Sequence, residues 1–185
     1  PQSAVEQMSI QTGGMTAEYG NALSGVINVI TATGSDNPQL MIRADKDDLF
    51  GGTQVNHANE LEITLSGPIQ KDKLTYFTAH RGIWTQTRWW QDMQRFFNSP
   101  HRSDVTGIAK VDWMSAAMRL SAHCIYSYQR WRDYEFSWRF NLDGLPPRKR
   151  LSVRPALIWT HTLSKNTYYS ITLGYHDLLN KTGSG

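Results

Sequence analysis

The stretch "DVTGIAKVDWMSAAMRLSAHCIYSYQ", residues 104–129, decides how this chain is read. In its first arm Val105, Gly107, Ala109, Val111 and Trp113 alternate with Thr106, Ile108, Lys110 and Asp112. In its second, Met118, Leu120, Ala122, Cys124, Tyr126 and Tyr128 alternate with Arg119, Ser121, His123, Ile125, Ser127 and Gln129. Successive side chains of a strand point to opposite faces, so each arm is a strand with one apolar and one mostly polar face. The "MSAA" between them (114–117) is short enough to close a hairpin.

Outward from this hairpin the pattern recurs. Leu61, Ile63, Leu65 and Gly67 oppose Glu60, Glu62, Thr64 and Ser66. Leu151, Val153, Pro155, Leu157 and Trp159 oppose Ser152, Arg154, Ala156, Ile158 and Thr160. Tyr169, Ile171, Leu173 and Tyr175 oppose Ser170, Thr172, Gly174 and His176. Seven strands are expected in this part of the chain, over 39–46, 59–69, 73–88, 103–114, 117–135, 150–163 and 167–178. Pro155 interrupts one of them, since it lacks a ladder donor and favours an edge or a bulge.

Alternation also occurs in water-soluble sandwiches, so the solvent on each face needs further argument. Several strands reach the roughly 9 to 11 residues that cross a bilayer at a tilt. Tight connections at 70–73, 114–117 and 163–166 alternate with long polar ones around 47–58, 89–103 and 136–150, the asymmetry of outer-membrane barrels. Trp113, Tyr168 and Tyr169 flank tight turns, and Trp84, Trp131 and Tyr134 lie toward the long loops, as interfacial girdles require. No stretch approaches the roughly 20 apolar residues of a spanning helix. The expected fold is all-β: an antiparallel up-and-down meander forming part of a transmembrane β-barrel. Leu120, Ala122, Leu157, Ile171 and Leu173 would face lipid, and Arg119, Ser121, Arg154 and Thr172 the interior. Seven strands do not close a bacterial barrel, whose strand number is even, so both edges are expected to pair with strands outside this chain.

The 185 residues carry a net charge of +3, and the lone Cys124 has no disulfide partner within the chain. His57, His80, His101, His123, His161 and His176 show no metal-ligand spacing. Glu60 and Glu62 share a face as interior carboxylates rather than an acid/base pair. No catalytic residue, metal or cofactor is expected, and the chain is not read as an enzyme. Its first residues, "PQSAVEQMSI", read as mid-domain sequence, so a fragment is expected.

Ahead of the meander lies "GGMTAEYGNALSGVINVITATG", residues 13–34. Val5–Gln11 and Gly25–Thr33 are expected strands, joined by a turn or single helical turn over Thr16–Ala22. Because Gly25 leads into a strand, these glycines do not form a phosphate loop, and Ser24 lacks the strand-to-helix elbow of a nucleophile. The order "QTGG", "AEYG", "SGVINVIT" and "TG", followed at once by a strand, resembles the end of the plug domain of TonB-dependent receptors. "LEITLSGPIQKDKLTYF" (61–77) resembles their second and third barrel strands, with wording nearest the Oar-like subgroup that carries a carboxypeptidase-regulatory-like domain. Two departures are Ser66 before Gly67, where many relatives have a second glycine, and "TATG" for the commoner Thr-Lys-x-Gly.

The resemblance implies that 1–36 is the C-terminal part of a plug and 37–185 the N-terminal part of a barrel of about 22 strands. Gly13, Gly14, Glu18, Tyr19, Gly20, Ser24, Gly25 and Asn28 are then the plug motif, a structural set. It further implies residence in the outer membrane of a Gram-negative bacterium, contact with lipid and lipopolysaccharide, and import of an unknown ligand driven by the TonB complex through a part of the receptor N-terminal to this chain. The outer segments "RWW" (88–90) and "RWRDYEFSWRF" (130–140) combine guanidinium and aromatic groups. Arg88, Trp89, Trp90, Arg130, Trp131, Arg132 and Tyr134 are therefore the ligand-binding candidates, with charge pairing and stacking as the means. A nucleic-acid partner is not expected. The other function class open at this point is a soluble or secreted β-sheet binding protein with aromatic carbohydrate-binding loops.

Overall fold

A computed structural model describes residues 1–12, 25–46, 58–85, 102–133 and 135–183, with the Leu142 side chain left aside. Ten strands account for nearly all of the regular structure, and no α-helix occurs among the described residues. β1 (Val5–Gln11) and β2 (Val26–Thr31) form an antiparallel two-stranded hairpin. The rest is one antiparallel sheet: β3 (Gln39–Lys46), β4 (Asn59–Gln70), β5 (Leu74–Thr85), β6 (Arg102–Met114), β7 (Met118–Trp131), β8 (Arg148–Ser164), β9 (Thr167–Gly174) and β10 (Asp177–Thr182). From β3 to β9 each strand pairs with the next in sequence, and β10 pairs with β8. The sheet is not closed: β3 is one edge, β9 and β10 the other.

The sequence predicts seven strands where the sheet has eight, and Pro155 is the cause. β10 and β9 pair with successive halves of β8, in one register on either side of Pro155. The Tyr175 N–H donates to the Pro155 carbonyl at 3.0 Å, but proline has no N–H to return the bond. One lane of the sheet is thus cut in two at Tyr175–His176. The tight turns fall where alternation places them. In the first, Lys73 N–H donates to the Gln70 carbonyl and Asp72 takes φ 61°. In the second, Ser115 N–H donates to the Met118 carbonyl, and Ser115 Oγ accepts from Met118 N–H.

Polarity and burial run opposite to those of a water-soluble sheet. On the face that carries the hairpin, Glu62 (1% exposed), Thr64, Ser66, Thr75, Asp104, Lys110, Asp112 (3%) and Ser121 are buried. On the other, Leu61, Leu65, Val111, Leu157 (37%), Ile171 and Leu173 (62%) are exposed. The apolar cluster between hairpin and sheet is small: Ala4 on Phe77, Ala79 and Ile108, with Ala32 against it.

Two polar groups on the open apolar face satisfy each other. His80 Nδ1 lies 2.7 Å from Tyr126 Oη and Nε2 lies 2.6 Å from Thr78 Oγ1. Gly107, between them on β6, leaves the space: a Cβ there would sit 2.6 Å from both His80 and Tyr126. Near the tight turns the same face carries Trp159 edge-on to Tyr169 at 5.4 Å, with His161 stacked beside Trp159.

Candidate functional site

The covered face presents two sites. On the β3–β5 side, the hairpin is held to β4 by Glu62. Its Oε1 accepts from Ser3 N–H at 2.9 Å and from Ser3 Oγ, which also lies 2.6 Å from Thr64 Oγ1. Arg43 on β3 donates to Gln2 Oε1 at 2.9 Å, and Ser35 Oγ lies 3.2 Å from Ser66 Oγ. Gly34 fixes the approach of the connector, since a Cβ there would come within 2.6 Å of Thr75 Cβ and the Tyr76 carbonyl oxygen. Glu60 and Glu62 share a face as the alternation requires, yet meet different partners. Arg81 on β5 grips Glu60 through two bonds of 2.6 Å, a bidentate pair.

The second site lies on the same face, at the long-loop ends of β6–β8. Arg102 and Asp104 of β6, Gln129 and Trp131 of β7, Arg132, and Arg150 of β8 line a pocket of about 250 Å³. Register brings them together: Arg102 pairs with Trp131, and Gln129 with both Asp104 and Arg150. The Arg150 guanidinium lies 5.6 Å from the Trp131 ring, within cation–π range, and donates to Asn180 Oδ1 at 3.0 Å. Buried Arg132 donates to the Leu145 carbonyl at 3.3 Å and lies 3.8 Å from Asp143, which folds the 136–144 segment back over the strand ends. Arg102 binds Asp104 Oδ2 at 2.6 Å, leaving the buried Oδ1 without a hydrogen-bond partner. Three guanidinium groups against one pocket carboxylate, beside a flat indole, suit an anionic and partly planar group; Asp104 Oδ1 would accept a donor from it.

Of the ligand-binding candidates, Trp131 and Arg132 meet in this pocket. Arg130 lies on the open face by the alternation of β7, while Arg88, Trp89, Trp90 and Tyr134 lie outside the described residues. Arg102, Asp104, Gln129 and Arg150 were not singled out in the sequence. The first three follow from strand alternation once the tight turn at 115–117 sets the β6–β7 register. Of the structural motif, Gly25 directly precedes β2 and Asn28 pairs with Ser9, whereas Gly13, Gly14, Glu18, Tyr19, Gly20 and Ser24, like the turn over Thr16–Ala22, lie outside the described residues. No three His, Cys, Asp or Glu side chains gather among the described residues.

Comparison with known proteins gives a partial answer. No protein-family profile matches the chain, and no solved structure matches it. Over 98 residues the chain is 30% identical to the TonB-dependent transporter Oar of Myxococcus xanthus. That alignment takes in 44% of this chain and 9% of the transporter, so the chain spans a small part of the protein it is similar to.

Proposed function

We propose that this chain is a segment of a TonB-dependent receptor and transporter of the bacterial outer membrane, with β1–β2 as the end of the plug and β3–β10 as barrel wall. The observation that carries the reading is the inverted polarity of the sheet. Buried Glu62, Lys110, Asp112 and Ser121 line the covered side, and exposed Leu157, Ile171 and Leu173 line the other. A lipid-facing barrel requires that arrangement. A water-soluble sheet with carbohydrate-binding loops would bury the opposite face, so the likeness to a transporter and the polarity agree.

In this reading the tight turns lie at the periplasmic rim and the pocket of Arg102, Trp131, Arg132 and Arg150 opens toward the outside. It gives an incoming ligand a cationic and aromatic contact, with no covalent chemistry. Uptake draws its energy from TonB through a part of the receptor N-terminal to this chain. The test uses the intact protein in its own cells. Fractionation should place it in the outer membrane with heat-modifiable mobility, and loss of TonB should abolish accumulation of its ligand while leaving surface binding intact. Trp131→Ala and Arg132→Ala should lower binding without changing heat-modifiable mobility. A water-soluble protein, or uptake that is unchanged without TonB, overturns the proposal.

A further inference from the structure

One row of opposed residues crosses the pocket on the covered face with hydrogen-bonding capacity left over. Asp104 is directly opposite Gln129, and Gln129 directly opposite Arg150. Asp104 is 7% exposed, and Arg102 brings two nitrogens to its Oδ2, so Oδ1 is buried without a hydrogen bond. The Gln129 carboxamide makes no hydrogen bond among the described residues. Arg150 gives Nε to Asn180 and sets its guanidinium over Trp131, and its two terminal nitrogens make no hydrogen bond among the described residues. Native sheets rarely leave such groups unmatched, so the row asks for a ligand that matches all three.

Their order says which kind. Along the row the open groups are an acceptor, a carboxamide that both donates and accepts, and a cation. Neighbouring strands lie about 4.8 Å apart, so the row runs about 10 Å from Asp104 to Arg150. An extended polypeptide advances about 3.3 to 3.6 Å per residue, so about three residues ending in a free carboxylate span that length. They place the carboxylate at Arg150, a carbonyl at Gln129 and an amide N–H at Asp104, with flat peptide bonds against the Trp131 ring. The pocket of about 250 Å³ equals about eight water volumes, enough for a slim backbone and not for a bulky ring system. An aromatic hydroxy acid has a donor and a carboxylate but nothing between them for Gln129.

We infer that this pocket recognises the free carboxyl-terminal end of a short peptide. The inference rests on the receptor reading above and names the chemical class of its ligand. Arg150 binds the carboxylate through charge-assisted hydrogen bonds. Because Arg102 already neutralises Asp104, the donor that meets Oδ1 is an uncharged amide rather than an amino terminus. Asp104 is then the specificity-determining residue: a carboxylate without an N–H at the right distance leaves a buried oxygen unmatched, which is how polar sites reject analogues that lack a donor.

The intact protein in phosphatidylcholine nanodiscs would be dialysed against a mixed-sequence tripeptide pool, and retained peptide measured by mass spectrometry. Parallel pools carry a carboxyl-terminal amide, an N-methyl group on the peptide bonds, or an acetylated amino terminus, and para-hydroxybenzoate is run beside them. Amidation and N-methylation should each lower retention about 10- to 100-fold, the worth of a hydrogen bond to a charged group, and acetylation should leave it unchanged. Arg150→Gln should erase the preference for the free carboxylate. Asp104→Asn, whose oxygen must serve Arg102, turns a donor into the pocket and should erase the preference against N-methylation. Lys71→Gln at a tight turn should keep both preferences. Each preference is a ratio within one variant, so a general loss of folded protein cancels, and the wild-type ratios decide alone if a variant does not assemble. Equal retention of the free and amidated pools, indifference to N-methylation, loss on acetylation, or tighter retention of para-hydroxybenzoate overturns the peptide assignment. Those results leave the receptor reading standing; that reading falls if the protein does not insert into the nanodisc or if its uptake is independent of TonB.

Discussion

Leu173→Arg and Thr172→Arg place the same side chain one residue apart and therefore on opposite faces of β9. Leu173 is 62% exposed on the apolar face and pairs with Leu157; Thr172 pairs with Ile158 on the covered face. Leu173 is six residues beyond Thr167 at the start of β9. At about 3.3 Å per residue and a tilt of about 40° it lies roughly 15 Å above the strand start, close to the middle of the apolar band. An arginine there should cost about 2 to 4 kcal/mol, a drop of roughly 30- to 700-fold in the folding equilibrium. Thr172→Arg, on a face built for polar groups, should cost less than about 1 kcal/mol. Urea titration of the intact protein folding into phosphatidylcholine vesicles measures both. For a sheet whose apolar face met water, Leu173→Arg would be near neutral or favourable. Equal costs for the two variants, or a larger cost for Thr172→Arg, refute the assignment of faces.

Ser3→Ala removes one donor from buried Glu62 and its contact with Thr64; the hairpin should lose about 1 to 3 kcal/mol, read as faster hydrogen exchange in β1 while β6 is unchanged. Gly34→Val must push the connector off the Thr75–Tyr76 backbone, so protease should cut the 32–38 connector at least tenfold faster, with the sheet still assembled. Pro155→Ala gives the Tyr175 carbonyl its missing donor, and should join β9 to β10 with about 0.5 to 1.5 kcal/mol of added stability, visible as slow exchange of the new amide at position 155 and slowed exchange at Tyr175.

What the sequence made legible follows from locality. Period-two alternation depends on neighbouring residues, so the faces of Leu61, Val111, Leu157 and Leu173 could be assigned without knowing what each strand pairs with, and the observed exposures agree. Tight turns also set register: with the turn at 115–117, Arg102 falls opposite Trp131. The convergence of Arg150 on that pair was not legible, because 16 residues separate β7 from β8 and a loop of that length leaves register free. Nor could alternation tell Glu60 from Glu62. Their difference arises where Arg81 reaches diagonally across β5 to Glu60 and where Ser3, 59 residues away in sequence, comes to Glu62. The break at Tyr175 was half legible: Pro155 announced a missing donor, but only the pairing shows which carbonyl goes without.

The contact between hairpin and sheet is polar, and this bears on the motion that uptake would require. Separating an apolar interface exposes surface at about 25 cal/mol per Å², with nothing in water to compensate. Here Ala4 and Ala32 contribute little apolar area, and the remaining attachments are hydrogen bonds: Ser3 to Glu62 and Thr64, Gln2 to Arg43, Ser35 to Ser66. Each is worth only about 0.5 to 3 kcal/mol net, those of charged Glu62 and Arg43 at the upper end, because water replaces it when it breaks. The side chains uncovered on the sheet are Glu62, Thr64, Ser66 and Thr75, which hydrate well, beside the small apolar patch of Phe77, Ala79 and Ile108. A hairpin attached in this way can be displaced and can return while exposing only a small apolar patch. The polarity that suits one face of the sheet to an aqueous interior therefore also keeps its attachment to the hairpin reversible.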